Sequence, residues 1–179
     1  VPTAKDTWHV LGQVVTEEEN LKRQRVWLWG EQSQQFALVL NFAHGRQPLD
    51  ISLVPGTHFD GTLIFYPGTG VRRAFLDSPV ESRQTSASLL SKLPSQSIAE
   101  GVGQYAQALG QNPWIARFPL LLTNVIPRYD QQEWWMVDSQ SFDSSDAEAN
   151  QEQMAIPLDR NFRSDQLSNG WHLFSISGG

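Results

Sequence analysis

Two neighbouring blocks decide the fold: Arg25-Val26-Trp27-Leu28-Trp29-Gly30 and Phe36-Ala37-Leu38-Val39-Leu40-Asn41-Phe42, joined by the polar connection Gly30-Glu31-Gln32-Ser33-Gln34. Both are rich in aromatic and aliphatic residues that favour strands, and the polar gap reads as a hairpin connection. Side chains of a strand alternate between its two faces. Arg25, Trp27 and Trp29 therefore share one face, and so do Phe36, Leu38, Leu40 and Phe42. Ala37 and Val39 point the other way, which predicts a central strand covered on both sides.

The pattern extends in both directions. Residues 8–15 read as an earlier strand, with Glu17-Glu18-Glu19-Asn20 as the turn after it. A loop holding Gly45, Pro48, Pro55 and Gly56 leads to a strand over Phe59–Tyr66, with Phe59, Leu63 and Phe65 on one face. Pro67-Gly68 then turns the chain, because proline fixes φ and glycine accepts positive φ, and Val71–Leu76 returns. Short strands with such punctuation predict an antiparallel meander or small barrel.

Composition changes after Asp77, where a serine-rich segment begins. Beyond it, Ser97-Ile98-Ala99-Glu100 has the form of a capping box, in which the Ser and Glu side chains satisfy the first free amides of a helix. Ile98, Val102, Tyr105, Ala106 and Leu109 recur at helical spacing, and Gly110 and Pro113 end the run. Strands are predicted within Ile115–Ile126 and at Glu133–Asp138, Met154–Leu158 and Trp171–Ile176, with a polar, acidic loop at 139–153. The expected class is α+β: mainly antiparallel β, one well-capped helix at about 97–110, and a second β-rich lobe. The lobes are placed at 6–77 and 94–179, joined by 78–93. Val1 in place of Met, and a strand just before the last residues, predict one compact fragment (1–179) of a larger protein.

Seven Trp and nine Phe in 179 residues supply a core and leave rings for a binding face. The net charge of −6 argues against a general polyanion binder, and the longest basic cluster, Lys22-Arg23-Gln24-Arg25, follows three glutamates. No apolar run approaches the roughly 20 residues that span a bilayer, so no membrane partner is predicted. With no cysteine there is no thiol nucleophile, disulfide or thiolate metal site.

The remaining motifs are weak. Gly101-Val102-Gly103-Gln104-Tyr105-Ala106 imitates a dinucleotide fingerprint, but its glycines fall inside a predicted helix, not at a strand-to-helix turn. They read better as points of close packing. Asp143, Asp146 and Glu148 lack the glycine turn of a calcium loop. The four histidines show no metal-ligand spacing. No cofactor, metal site or catalytic set is predicted. Arg25, Trp27 and Trp29 form the candidate binding face, since Trp and Arg are enriched at interface hot spots; the competing reading puts both rings in the core. A second candidate is a ligand pocket near His44, Asp50, His58 and Asp60.

The residues assembled so far resemble a known family. Trp8-x-x-Leu11-Gly12-Gln13, Gln24-Arg25-x-Trp27-Leu28-Trp29-Gly30, Phe36 to Ala43, Pro55-Gly56-Thr57, Phe65-Tyr66-Pro67-Gly68 and Arg72-Arg73-Ala74 are similar, in order and spacing, to the region downstream of the zinc finger in bacterial SWIM zinc-finger proteins. The similarity covers mostly residues 8–76 and is looser beyond. SWIM fingers carry Cys-x-Cys followed by Cys-x-His, and this chain has no cysteine, so no zinc ligand carries over. The resemblance implies a companion domain of an intracellular, regulatory or DNA-associated protein. The expected function is a non-enzymatic interaction or regulatory module with a protein partner, nucleic acid being reached only through other segments of the parent. The alternative is a small-ligand or enzymatic domain with a site between the lobes.

Overall fold

The computed structural model describes residues 2–49, 52–68, 72–85, 93–115, 118–130, 132–139, 155–157 and 172–176. The protein is mostly β, with antiparallel pairing dominant. It divides into two compact units, Val1–Leu93 and Pro94–Gly179. Among the described residues, no helix is long and apolar enough to cross a membrane.

The first unit holds β1 (Thr3–Glu18), β2 (Leu21–Gly30), β3 (Phe36–His44), β4 (Thr57–Phe65), β5 (Arg72–Leu76) and the short β6 (Arg83–Gln84). Their order is β1-β2-β3-β5-β4-β6, and β1 also pairs with β4. That extra pairing closes five strands into a barrel. β3 and β5 run parallel, Leu38 opposite Arg73, and the other neighbours are antiparallel. The parallel pair rules out the simple meander. The connectivity is that of the small OB-type Greek-key barrel.

Local sequence explains how β1 serves two neighbours. It is 16 residues long, and its register with β2 shifts between Val10 and Gly12. Such a bulge bends a strand and increases its twist, so the first part of β1, Thr3 to His9, lies against β4 while Trp8 to Glu18 follows β2. Glu19 and Asn20 both take positive φ, as a tight two-residue hairpin requires.

The barrel interior is formed by Trp8, Val10, Val26, Leu28, Ala37, Val39, Phe59, Leu63, Phe65 and Ala74, with Leu53 entering from the β3–β4 loop. On β3 the small residues face inward and the large ones outward. A five-stranded barrel has a narrow interior, and Trp8, Phe59 and Phe65 already fill it. Phe36, Leu38, Leu40 and Phe42 are thus excluded, and Phe42 is 52 % exposed. The expectation that β3 is covered on both sides fails at this residue. Toward one end the inward positions become polar: Gln24 donates to Gln13 Oε1 (2.9 Å) and accepts from Asn41 Nδ2 (2.8 Å). This mutual pairing lets Gln24 be buried.

In the second unit, α1 spans Ile98–Gln111, one residue beyond the glycine read as its stop. Ser97 accepts from the Glu100 amide, and the Glu100 carboxylate accepts from the Ser97 amide (2.8 Å). Ile98 packs with Leu120, Leu122 and Met136. A Cβ on Gly101 would lie 3.2 Å from both Leu120 and Leu122, so this glycine lets helix and strand approach. Ala106 is exposed and not on the buried stripe. The strands are β7 (Phe118–Leu122), β8 (Val125–Asp130), β9 (Glu133–Asp138), β10 (Ala155–Pro157) and β11 (His172–Ile176), arranged as a β10-β9-β8 sheet and a β11-β7 pair.

Candidate functional site

The barrel puts the outward residues of five strands on one continuous surface. Register determines which side chains meet. Val14 lies opposite Arg25, and Thr16 opposite Arg23. Across the next ladder, Arg23 faces Phe42, Arg25 faces Leu40, Trp27 faces Leu38 and Trp29 faces Phe36. Leu38 is then opposite Arg73 on β5, and Phe75 is opposite Ile64 on β4. The Tyr66 amide donates to the Arg73 carbonyl (2.9 Å), which brings Tyr66 beside it.

The two ends of this surface differ. Trp27 and Trp29 are buried, and Trp29 meets Phe36 edge-on at 4.8 Å. Arg25 is half-buried, with Nη1 3.4 Å from Thr16 Oγ1. Of the three residues proposed from sequence, then, the two rings are enclosed and the guanidinium stands at the margin. The open part lies elsewhere: Val14, Phe42, Phe75 and Tyr66 are exposed large residues. Arg23 stands 5.9 Å from the Phe42 ring centre, Arg73 stands 5.1 Å from that of Tyr66, and Tyr66 and Phe75 pack at 5.7 Å. Sequence reasoning missed Phe42, Tyr66, Arg73 and Phe75 as site residues. The alternation in β3 marked Phe42; the parallel β3–β5 pairing that brings Arg73 and Phe75 alongside has no local signal.

The second candidate set is dispersed. His44 is exposed at the end of β3. His58 and Asp60 face outward on β4, where Asp60 accepts from Thr7 Oγ1 (2.6 Å) and His58 Nδ1 is 3.4 Å from Thr85 Oγ1. Asp50 lies outside the described residues, as do Asp143, Asp146 and Glu148. A depression lined by Glu18, Glu19 and Leu21 at the first hairpin contains none of the four. Among the described residues, no cluster of three His, Cys, Asp or Glu is arranged to hold a metal ion.

His58 does have a neighbour that the sequence did not single out. It is opposite His9 on β1, with ring centres 5.9 Å apart. His9 is buried, its Nε2 is 3.4 Å from Glu31 Oε2, and its Nδ1 has no hydrogen-bond partner among the described residues. Burial lowers the His9 pKa; Glu31 opposes this and His58 adds to it, and the net shift is downward. An unfolded histidine takes up a proton as pH falls below about 6.5, while folded His9 resists. Stability is therefore full above that pH and declines as pH falls from it toward the folded pKa. Urea titrations at successive pH values should show this loss in the wild type, with a slope of at most about 1.4 kcal/mol per pH unit from His9. His9→Gln should lose that portion of the slope.

No family model, no curated protein and no solved structure matches the chain.

Proposed function

We propose that this chain is a non-enzymatic interaction module of a larger bacterial, cytoplasmic protein of the SWIM zinc-finger kind, and that a protein partner docks on the outward face of β2, β3 and β5. The observation that carries this reading is the exposure of Phe42 on β3 and Phe75 on β5, with Val14 on β1 and Tyr66 just after β4 exposed at the margins of that face. Large apolar residues gathered on one exposed face mark interaction sites more often than they serve solubility. The blocks that resemble the SWIM-associated region include β2, β3 and the start of β5, the strands that build this face. Small Greek-key barrels of this connectivity also use the face of strands 2 and 3 for ligands, a fold-level analogy that supports the location and not the partner.

The test is affinity capture from bacterial lysate with the full chain as bait, set against Phe42→Ser/Phe75→Ser. Both positions are exposed, so the double variant should unfold within about 0.5 kcal/mol per site of the wild type. A specific protein captured by the wild type and lost in the variant is the expected result. Equal capture by both removes this face from the function. Trp27→Ala is a poor probe, because Trp27 is buried and its loss would weaken the fold as well as any contact.

A further inference from the structure

We infer that the segment of the partner that docks here is extended and combines apolar side chains with carboxylates. The inference rests on the reading of this face as a docking surface and adds the chemistry that the face selects. Its outward positions carry three guanidinium groups, Arg23, Arg25 and Arg73, and no carboxylate on β2, β3 or β5. This is a local excess of positive charge on a chain of net charge −6. Among the described residues, neither Arg23 nor Arg73 is in an ion pair with a carboxylate. Each lies over an exposed ring. A guanidinium can stack on a ring and still present its donors in a planar fork that fits a carboxylate.

Spacing adds the second element. Arg23 and Arg25 are two residues apart on one strand, a repeat of roughly 6.5–7 Å. An extended segment lying along β2 has the same repeat between alternate side chains, so an acidic residue over Arg23 is followed two positions on by a side chain over Arg25. Phe42, opposite Arg23, and Phe75, beside Tyr66 and two strands away on β5, are exposed rings that favour apolar groups around such an acid. The glutamates at the tip of the first hairpin make a long polyanion a poorer occupant than a short amphipathic segment with two or three acids.

The test uses the full chain and fluorescent peptides. One peptide alternates Asp or Glu with Leu or Phe, a second replaces its acids by lysine, and a single-stranded oligonucleotide is run beside them. The acidic peptide should bind, weaken as ionic strength rises, and lose roughly fivefold in affinity for each guanidinium removed in Arg23→Gln and Arg73→Gln. Both variants should melt with the wild type. Equal binding of the lysine peptide, binding unchanged in both arginine variants, binding of the oligonucleotide alone, or no binding of the acidic peptide overturns the inference. If the lysate partner is lost in Phe42→Ser/Phe75→Ser but retained in both arginine variants, the docking face stands and its preference for acids does not.

Discussion

Replacing Asp6 by alanine is expected to lower the stability of the barrel unit by about 3 kcal/mol, although Asp6 touches no part of the proposed docking face. Its carboxylate is buried and accepts from three backbone amides: Thr7 (2.7 Å), Gln32 (2.9 Å) and Ser33 (2.8 Å). Two of those amides belong to the β2–β3 turn, so one side chain at the start of β1 holds the hairpin whose outer face carries the site. Removing it leaves three donors without their acceptor, and hydrogen bonds to a charged group contribute more than neutral ones. Asp6→Asn should lie between, since an amide keeps one acceptor oxygen and places an NH2 where the other accepted. Burial alone would raise the Asp6 pKa, but the hydrogen bonds from the Ser33 side chain and the Gln32, Ser33 and Thr7 amides outweigh it and hold the carboxyl below its ordinary value of 3.8. Its contribution is thus complete above that pH and is lost as pH falls through the folded pKa. Urea unfolding followed by tryptophan fluorescence should show the wild type and Asp6→Ala converging in strong acid. A gap that does not narrow there would mean the carboxylate's charge is not what holds the turn.

Gly30 belongs to the same device. A Cβ at this position would lie 2.5 Å from Asp6 Oδ2 and 2.9 Å from Trp8 Cζ3. The glycine is required by close approach, not by its backbone angles. In the sequence, the glycine after Trp29 reads as ordinary hairpin punctuation, because nothing nearby in the chain announces that Asp6 will arrive above it.

That contrast recurs across the molecule. The strands of the first unit were legible because alternation is local: Phe59, Leu63 and Phe65 read as one face and are one buried face. The capping residues of α1 were legible for the same reason, Ser97 and Glu100 being three apart. Closure of the barrel was not, since it depends on the β1–β4 ladder between residues 49 to 61 positions apart. The inside and outside of β3 were not legible either, because hydrophobicity favours burying the larger set while the narrow interior accepts the smaller. Arg25, Trp27 and Trp29 were correctly placed together by parity, but parity does not reveal that the rings are enclosed. Asp60 and His58 likewise share a face without converging on a pocket, since sharing a strand face gives adjacency and not concavity.

The assignment of inside and outside can be tested by one pair of substitutions. Trp8 is fully buried at the crossing where β1 meets both β2 and β4, with Gly30 opposite it on one side and Phe59 on the other. Its ring centre is 6.1 Å from that of Phe65, and its indole N–H donates to the Gly61 carbonyl at 3.2 Å. Trp8→Ala removes a large ring from a closed interior that cannot collapse around the cavity, and it strips the Gly61 carbonyl of its donor. The expected loss is about 4 kcal/mol, enough to unfold a marginal domain. Trp8→Phe should cost roughly 1–2 kcal/mol, for the hydrogen bond and the missing ring volume. Phe42→Ser, by contrast, should leave the unfolding midpoint nearly unchanged, since about half of Phe42 is already in water. If the large residues of β3 formed the core, the order would reverse: Phe42→Ser would be severe and Trp8→Ala mild. Denaturation of the two variants side by side decides between those arrangements, and with them whether the aromatic residues of β3 and β5 are free to meet a partner.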